Sequence, residues 1–313
     1  TADIPPIGEK VYVVSAQQSA SPSKAVTTRK SATPCAGPYT YRLNEDNVCV
    51  LDLARFQIDN GDWQPETEVL KIDQAIRDTY KIARRGGSMV QPWYNKKFAP
   101  KPVVRGKLKM TFAFEAQSIP SEPVMLCMEQ PENFTLTLNG KAVSSARDLG
   151  WWVDPAIRKL SIPAGGIVEG KNELTLECGF HEEVQIEAPY LLGQFGVRVD
   201  GTARTLTALP DKLAAGDITK QGLPFYSGSI TYRIPVPANA AGSNQTLMIE
   251  LTQLDAACAK VHRSDNAPNM IAWPPYRIDI TDPAKDGFVD LELVLTRRNT
   301  FGPLHQNPLR AGA

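Results

Sequence analysis

The chain has 313 residues, enough for about two domains of ordinary size, and its 34 basic and 34 acidic residues cancel. That balance argues against nucleic acid or an anionic membrane surface as partner. No apolar run reaches the ~20 residues of a membrane-spanning helix, and no basic start leads into an apolar signal core. A chain opening on Thr1 is expected to be either processed or a piece cut from something longer. Its five cysteines, Cys35, Cys49, Cys127, Cys178 and Cys258, are odd in number and form no CxxC pair, so neither a disulfide framework nor a zinc knuckle is indicated. Cys127 and Cys178 fall inside apolar strands and are expected as buried free thiols, with a Cys35–Cys49 bridge left open. Unpaired thiols without a signal peptide favour a cytoplasmic setting over a secreted one.

In chain order, residues 1–38 hold one short strand candidate, Lys10–Ser15, followed by a Ser, Thr, Ala and Pro-rich irregular connection. Residues 39–102 read as a strand and helix linker segment. Its strands are Tyr39–Leu43 and Val48–Ile58, closed by the Asn60-Gly61-Asp62 turn. Its helix is Glu66–Arg85, where Val69, Ile72, Ile76, Tyr80 and Ala83 recur at three- and four-residue steps before Gly86-Gly87. The Gln91–Tyr94 aromatic pair, with Trp93, and a basic, proline-broken link then lead to a first β-sandwich at 103–205. Its expected strands are Lys107–Glu115, Val124–Glu129, Asn133–Leu138, Lys159–Ile162, Glu173–Cys178 and Val184–Glu187. Asn139-Gly140 is the strongest hairpin signal, because a type I′ turn needs positive φ at both central residues. A second sandwich at 206–313 is expected to use Phe225–Ile234, Gln245–Leu251, Ala257–His262, Tyr276–Ile280 and Asp290–Leu295.

Two stretches share a plan. Trp152–Phe180 and Ala272–His305 each start with an aromatic and a proline, run through an alternating strand, turn on glycine and leave on a second one. Gly170, Asn172, Leu174 and Leu176 match Gly287, Val289, Leu291 and Leu293 at the same two-residue steps. A period of two puts an aliphatic row inside and a polar row outside. Leu174, Leu176, Leu291 and Leu293 are therefore expected buried, with Glu173, Thr175, Asp290 and Glu292 exposed. The fold class is all-β, two tandem sandwiches without the βαβ alternation of a parallel sheet.

These motifs carry a resemblance. Phe134–Val143 (FTLTLNGKAV), Pro189–Val197 (PYLLGQFGV), Phe225–Val236 (FYSGSITYRIPV), Trp273–Thr281 (WPPYRIDIT) and Arg297–His305 (RRNTFGPLH) resemble the paired galactose-binding-like jelly rolls of large bacterial glycoside hydrolases. Family 2 and α-L-rhamnosidase-type enzymes are the nearest in pattern. The resemblance covers about residues 40 to 313 and implies a bacterial source. It departs where such domains carry an Asn-Gly turn and an Asn before the last strand: the second sandwich has His262-Arg263-Ser264-Asp265 and Val289 instead. Catalytic barrels of such enzymes lie upstream, and nothing here corresponds to one. The resemblance therefore implies a non-catalytic accessory region whose partners are glycan or the catalytic domain of the same polypeptide; a free-standing lectin-like or adhesion module is the alternative.

On their own terms the residues offer little catalysis. Glycoside hydrolysis needs two carboxyls about 5 to 10 Å apart in a cleft. His181-Glu182-Glu183 with Glu187 reads as a solvated edge, and Glu250 with Asp255 is a weaker candidate. His181, His262 and His305 are too scattered for a local metal site, no GxSxG elbow is present, and no cofactor is indicated. Aromatics are the better signal, since the C–H faces of sugars pack on Trp and Tyr rings. Trp151, Trp152, Trp273 and Tyr276 are the candidate carbohydrate-binding residues. Against this stands the common use of loop aromatics as plugs at the end of a sandwich.

Overall fold

The computed structural model describes residues 32–84, 97–98, 101–146, 149–236, 246–262 and 269–302. The Lys10–Ser15 strand, Trp93, the loop 263–268 and His305 lie outside the described residues. Two compact units emerge. One is formed by Asp46–Pro210 with Thr219–Tyr226, and the other takes its described residues from Thr1–Glu45, Asp211–Ile218 and Ser227–Ala313. The strand and helix segment at 39–102 is shared between them, since β1 (Thr40–Leu43) pairs in the second unit and the described residues from Asp46 to 84 belong to the first.

In the first unit the strands are β2 (Asn47–Val50), β3 (Leu53–Ile58), β4 (Gln64–Glu68), β5 (Gly106–Ala116), β6 (Met125–Glu129), β7 (Thr135–Leu138), β8 (Lys141–Val143), β9 (Trp151–Trp152), β10 (Asp154–Ser161), β11 (Gly170–Phe180), β12 (Tyr190–Gly193), β13 (Gly196–Asp200) and β14 (Ala203–Thr207). One sheet runs β2-β12-β6-β10-β9. The other runs β13-β14-β5-β11-β7-β8, with β3 also on β5 and β4 on β3. Alternation builds the core. Leu108, Met110, Phe112 and Phe114 of β5 and Leu174, Leu176 and Cys178 of β11 are buried, while Glu115 and Glu173 face out. Thr175 is half covered, because its hydroxyl lies 3.3 Å from that of Thr111 across the strand pair.

Two asparagines clasp one end of this unit. Asn139 and Gly140 take positive φ in the hairpin between β7 and β8, as the sequence requires. The Asn139 amide then donates to Gly166 O at 2.9 Å and to Asn172 Oδ1 at 2.8 Å, while its own oxygen accepts from Glu173 N. Asn172 is 3% exposed, accepts from Val168 N and donates to Val168 O and Gly170 O. A buried amide satisfied on both sides holds the 166–170 loop in one geometry. Val289 at the matching place of the second unit is buried in an apolar cluster instead.

The helix α1 (Val69–Tyr80) is shorter at both ends than the Glu66–Arg85 periodicity suggests. Gln64–Glu68 is drawn into β4, and the Glu68 carboxylate caps the helix by accepting from Leu70 N and Lys71 N. Lys81, rather than the glycine pair, takes the left-handed position that ends it. Val69, Ile72 and Ile76 are fully buried, so the apolar stripe docks within the first unit. Arg77 is 2% exposed, and the apolar stripe gives no hint of it. Its guanidinium pairs with Asp73 at 2.9 Å and lies over the Phe180 ring. It also donates to Val184 O at 2.9 Å and more weakly to Glu182 O and Ala83 O. This corrects the strand expected at Val184–Glu187: the Val184 carbonyl is taken by Arg77 and Gln185 N bonds the Gln130 side chain, and the segment forms no strand.

In the second unit β15 (Ser229–Pro235), β16 (Met248–Glu250), β17 (Cys258–Val261), β18 (Asn269–Ile271), β19 (Arg277–Asp279) and β20 (Phe288–Val294) precede a single turn, α2 (Arg298–Phe301). Its sheets are β1-β15-β20-β17-β18 and β16-β19. Leu291 and Val289 are buried, whereas Leu293 is only half covered. The polar row of β20 is half-buried rather than exposed, because long partners lie over it. Arg233 makes two hydrogen bonds, at 2.9 and 2.8 Å, to Asp290, and holds its carboxyl below the usual range. His262 Nε2 lies 2.6 Å from Glu292, with Lys260 at 3.8 Å. Burial opposes ionisation of Glu292, but hydrogen bonds from His262 and Ser229 and the charge of Lys260 outweigh it and lower its pKa.

All five cysteines are free. Cys49, Cys127 and Cys178 are buried, and burial pushes each thiol up to about 12. Native protein treated with a disulfide reagent at about pH 8 should therefore release at most the equivalent of two thiols, Cys35 and Cys258, and the other three only on unfolding. Rapid reaction of all five would show that the cores open readily.

Candidate functional site

The four candidate aromatics divide into one outward and one inward residue per unit. In β9, alternation turns Trp152 inward to 8% exposure against Tyr190, ring centroids 5.3 Å apart, and leaves Trp151 51% exposed. Burial raises the Tyr190 phenol pKa, so the pair is a neutral packed base. Trp151 sits opposite Arg158 in the register with β10, and a bulge with Val153 at positive φ separates that pair from Trp152 opposite Asp154. The strand is thus kinked so that one indole is anchored and its neighbour is presented. In the second unit Trp273 is 47% exposed, while Tyr276 is half-buried against the apolar cluster of Val261, Ile271 and Leu291. Trp151 and Trp273 keep open rings; Trp152 and Tyr276 are packed.

The carboxylates singled out in the sequence lie on elements other than those that carry Trp151 and Trp273. His181, Glu182 and Glu183 form a turn in which His181 Nδ1 accepts from Glu183 N and Val184 N bonds His181 O. Glu182 and Glu183 are exposed, and Glu187 is half-buried. Glu250 stands opposite Arg277 between β16 and β19, and Asp255 accepts from Gln253. Of the histidines, His181 is in this turn and His262 is on Glu292. Among the described residues no group of three or more His, Cys, Asp or Glu is placed to hold a metal ion. Ser227 of the FYSGS motif is buried with its hydroxyl 2.5 Å from that of Thr300, so two stretches that look functional in sequence bind each other.

Two features lie beyond the sequence reading. Trp63, which follows the Asn60–Asp62 turn, is partly exposed with the Arg55 guanidinium 5.4 Å over its ring. An open depression of about 540 Å³ lies at the end of the larger sheet, lined by Glu115, Gln117, Glu169, Gly170, Arg198 and Thr205. The register explains it: Arg198 pairs with Thr205, Thr205 with Glu115, and Glu115 with Lys171, so residues from four strands form one outward row. Alternation in each strand marks these positions as outward, but nothing in the sequence says that they adjoin.

No family model matches the chain, and no curated protein matches it. Among solved structures it is similar to a β-D-mannosidase from Dictyoglomus thermophilum, with a TM-score of 0.29 and 11% identity, over 80% of this chain and 31% of that one.

Proposed function

We propose that this chain is a non-catalytic, carbohydrate-facing region of a glycoside hydrolase, holding glycan beside a catalytic domain carried by the same polypeptide. The observation that supports it is the presentation of Trp151: a half-exposed indole on a short strand whose other residue, Trp152, is buried as its anchor. A flat, partly dry ring held on a rigid element is what the C–H face of a sugar packs against. Trp273, in the bend after β18, is likewise about half exposed in the second unit. The carboxylates favour a supporting role, since those singled out as possible acid and base residues lie in exposed turns or on short strands rather than about a cleft.

The test is retention of the purified chain by soluble polysaccharides in affinity electrophoresis, together with a glycan array. Trp151→Ala and Trp273→Ala should each weaken retention about tenfold, the loss of ~1 to 2 kcal/mol per stacked ring, and leave the thermal midpoint within a few degrees. Incubation with aryl rhamnosides, galactosides and glucuronides should give no turnover. Absence of glycan retention, or retention indifferent to both tryptophans, overturns the binding reading. Turnover abolished by the amide at Glu182, Glu183, Glu187, Glu250 or Asp255 would make this a catalytic β-sandwich.

A further inference from the structure

We infer that the depression at the end of the larger sheet is a separate saccharide subsite, one that takes a neutral sugar residue edge-on through its hydroxyls; the inference rests on the glycan-facing reading above. Several charged side chains elsewhere are engaged: Asp52 pairs with Arg204, Lys109 with Glu177, Asp290 with Arg233 and Glu292 with His262. In the depression they are not. Among the described residues the side chains of Glu115, Gln117, Glu169 and Arg198 make no hydrogen bond or ion pair, although all four line one concavity. Thr205 in its wall is only 6% exposed as a residue, but its hydroxyl, which has no partner among the described residues, still reaches solvent.

The chemistry of the lining selects the ligand. Carboxylates only accept, a guanidinium only donates, and an amide or hydroxyl does both. A ligand that satisfies all of them must carry several groups that donate and accept at once, which is the property of vicinal hydroxyls on a sugar ring. Two carboxylates against one guanidinium leave a net negative charge, which disfavours uronic acids and phosphates. No aromatic side chain lines the depression, so a sugar here is held by its rim rather than by stacking, in contrast to the Trp151 platform. Its volume falls within the ~300 to 1,000 Å³ of small-molecule sites. The frame is rigid. Gln117 N donates to Leu206 O, tying β5 to β14, and the Asn139–Asn172 clasp fixes the loop that carries Glu169 into Gly170. Gly170 has φ of +81° with open space where a Cβ would stand, leaving the floor of the depression clear.

The experiment is saturation-transfer NMR on the whole chain with three neutral probes, the methyl glycosides of D-galactose, D-glucose and L-rhamnose, repeated on Glu115→Gln, Arg198→Gln and the control Glu173→Gln. At least one probe should bind in the millimolar range. Glu115→Gln and Arg198→Gln should each weaken it about fivefold or more, the loss of one charged hydrogen bond, while Glu173→Gln, outside the depression, leaves it unchanged. All three positions are exposed, and matching thermal midpoints confirm that the variants fold. Failure of every probe, indifference to both depression variants, or an equal loss on Glu173→Gln overturns the subsite. So does a response to calcium chloride with none to sugar. If polysaccharide retention through Trp151 survives any of these results, the subsite falls and the glycan-facing function stands; if retention fails too, both fall.

Discussion

Replacing Arg77 by Met is expected to destabilise the first unit by about 3 to 5 kcal/mol, the cost of leaving one member of a buried ion pair behind. The side chain is buried, its partner Asp73 is 5% exposed, and its remaining donors serve the carbonyls of Val184, Glu182 and Ala83. Met fills much of the same volume, so the loss reports hydrogen bonding and charge rather than a cavity. The companion variant separates those two. Asp73→Leu with Arg77→Met removes the stranded carboxylate, and the pair should recover a large part of the loss, with a coupling energy of about 1 to 3 kcal/mol in a double-mutant cycle. Urea unfolding followed by tryptophan fluorescence measures each step. A loss below about 1 kcal/mol for the single Arg77 change would mean that water reaches Asp73 and that α1 is held by its apolar stripe alone.

The second large effect lies in β11. Leu174→Ala and Leu176→Ala should each cost about 2 to 5 kcal/mol, because both side chains are 1% exposed and the surrounding sheets can close only part of the cavity left behind. Glu173→Gln, on the outward face just before Leu174, should stay within about 0.5 kcal/mol. In the second unit the graded burial of β20 predicts a graded response, with Leu291→Ala costing more than Leu293→Ala. Equal losses at inward and outward positions of β11 would contradict the two-residue period on which the sandwich rests.

Local pattern and tertiary context divide the information in this chain cleanly. The period of two in Asn172–Leu176 and Val289–Leu291 determined which residues face the cores, because alternation on a pleated strand is a property of the backbone and needs no neighbour. Asn139-Gly140 determined its turn for the same reason: the positive φ at both positions is a local steric preference. The apolar stripe of Val69, Ile72 and Ile76 likewise marked α1 and its buried side. What the sequence could not contain is adjacency. Arg77 reaches Val184 over 107 positions, Ser227 meets Thr300 over 73, and the row Arg198–Thr205–Glu115–Lys171 is assembled by pairings among four strands. A polar residue on an outward face looks the same in sequence whether it faces open water or closes a depression, and only the register decides. Trp151 and Trp152 show the same division within two residues, for either indole suits a strand, and it was the packing of Tyr190 beneath β9 that buried one and left the other open.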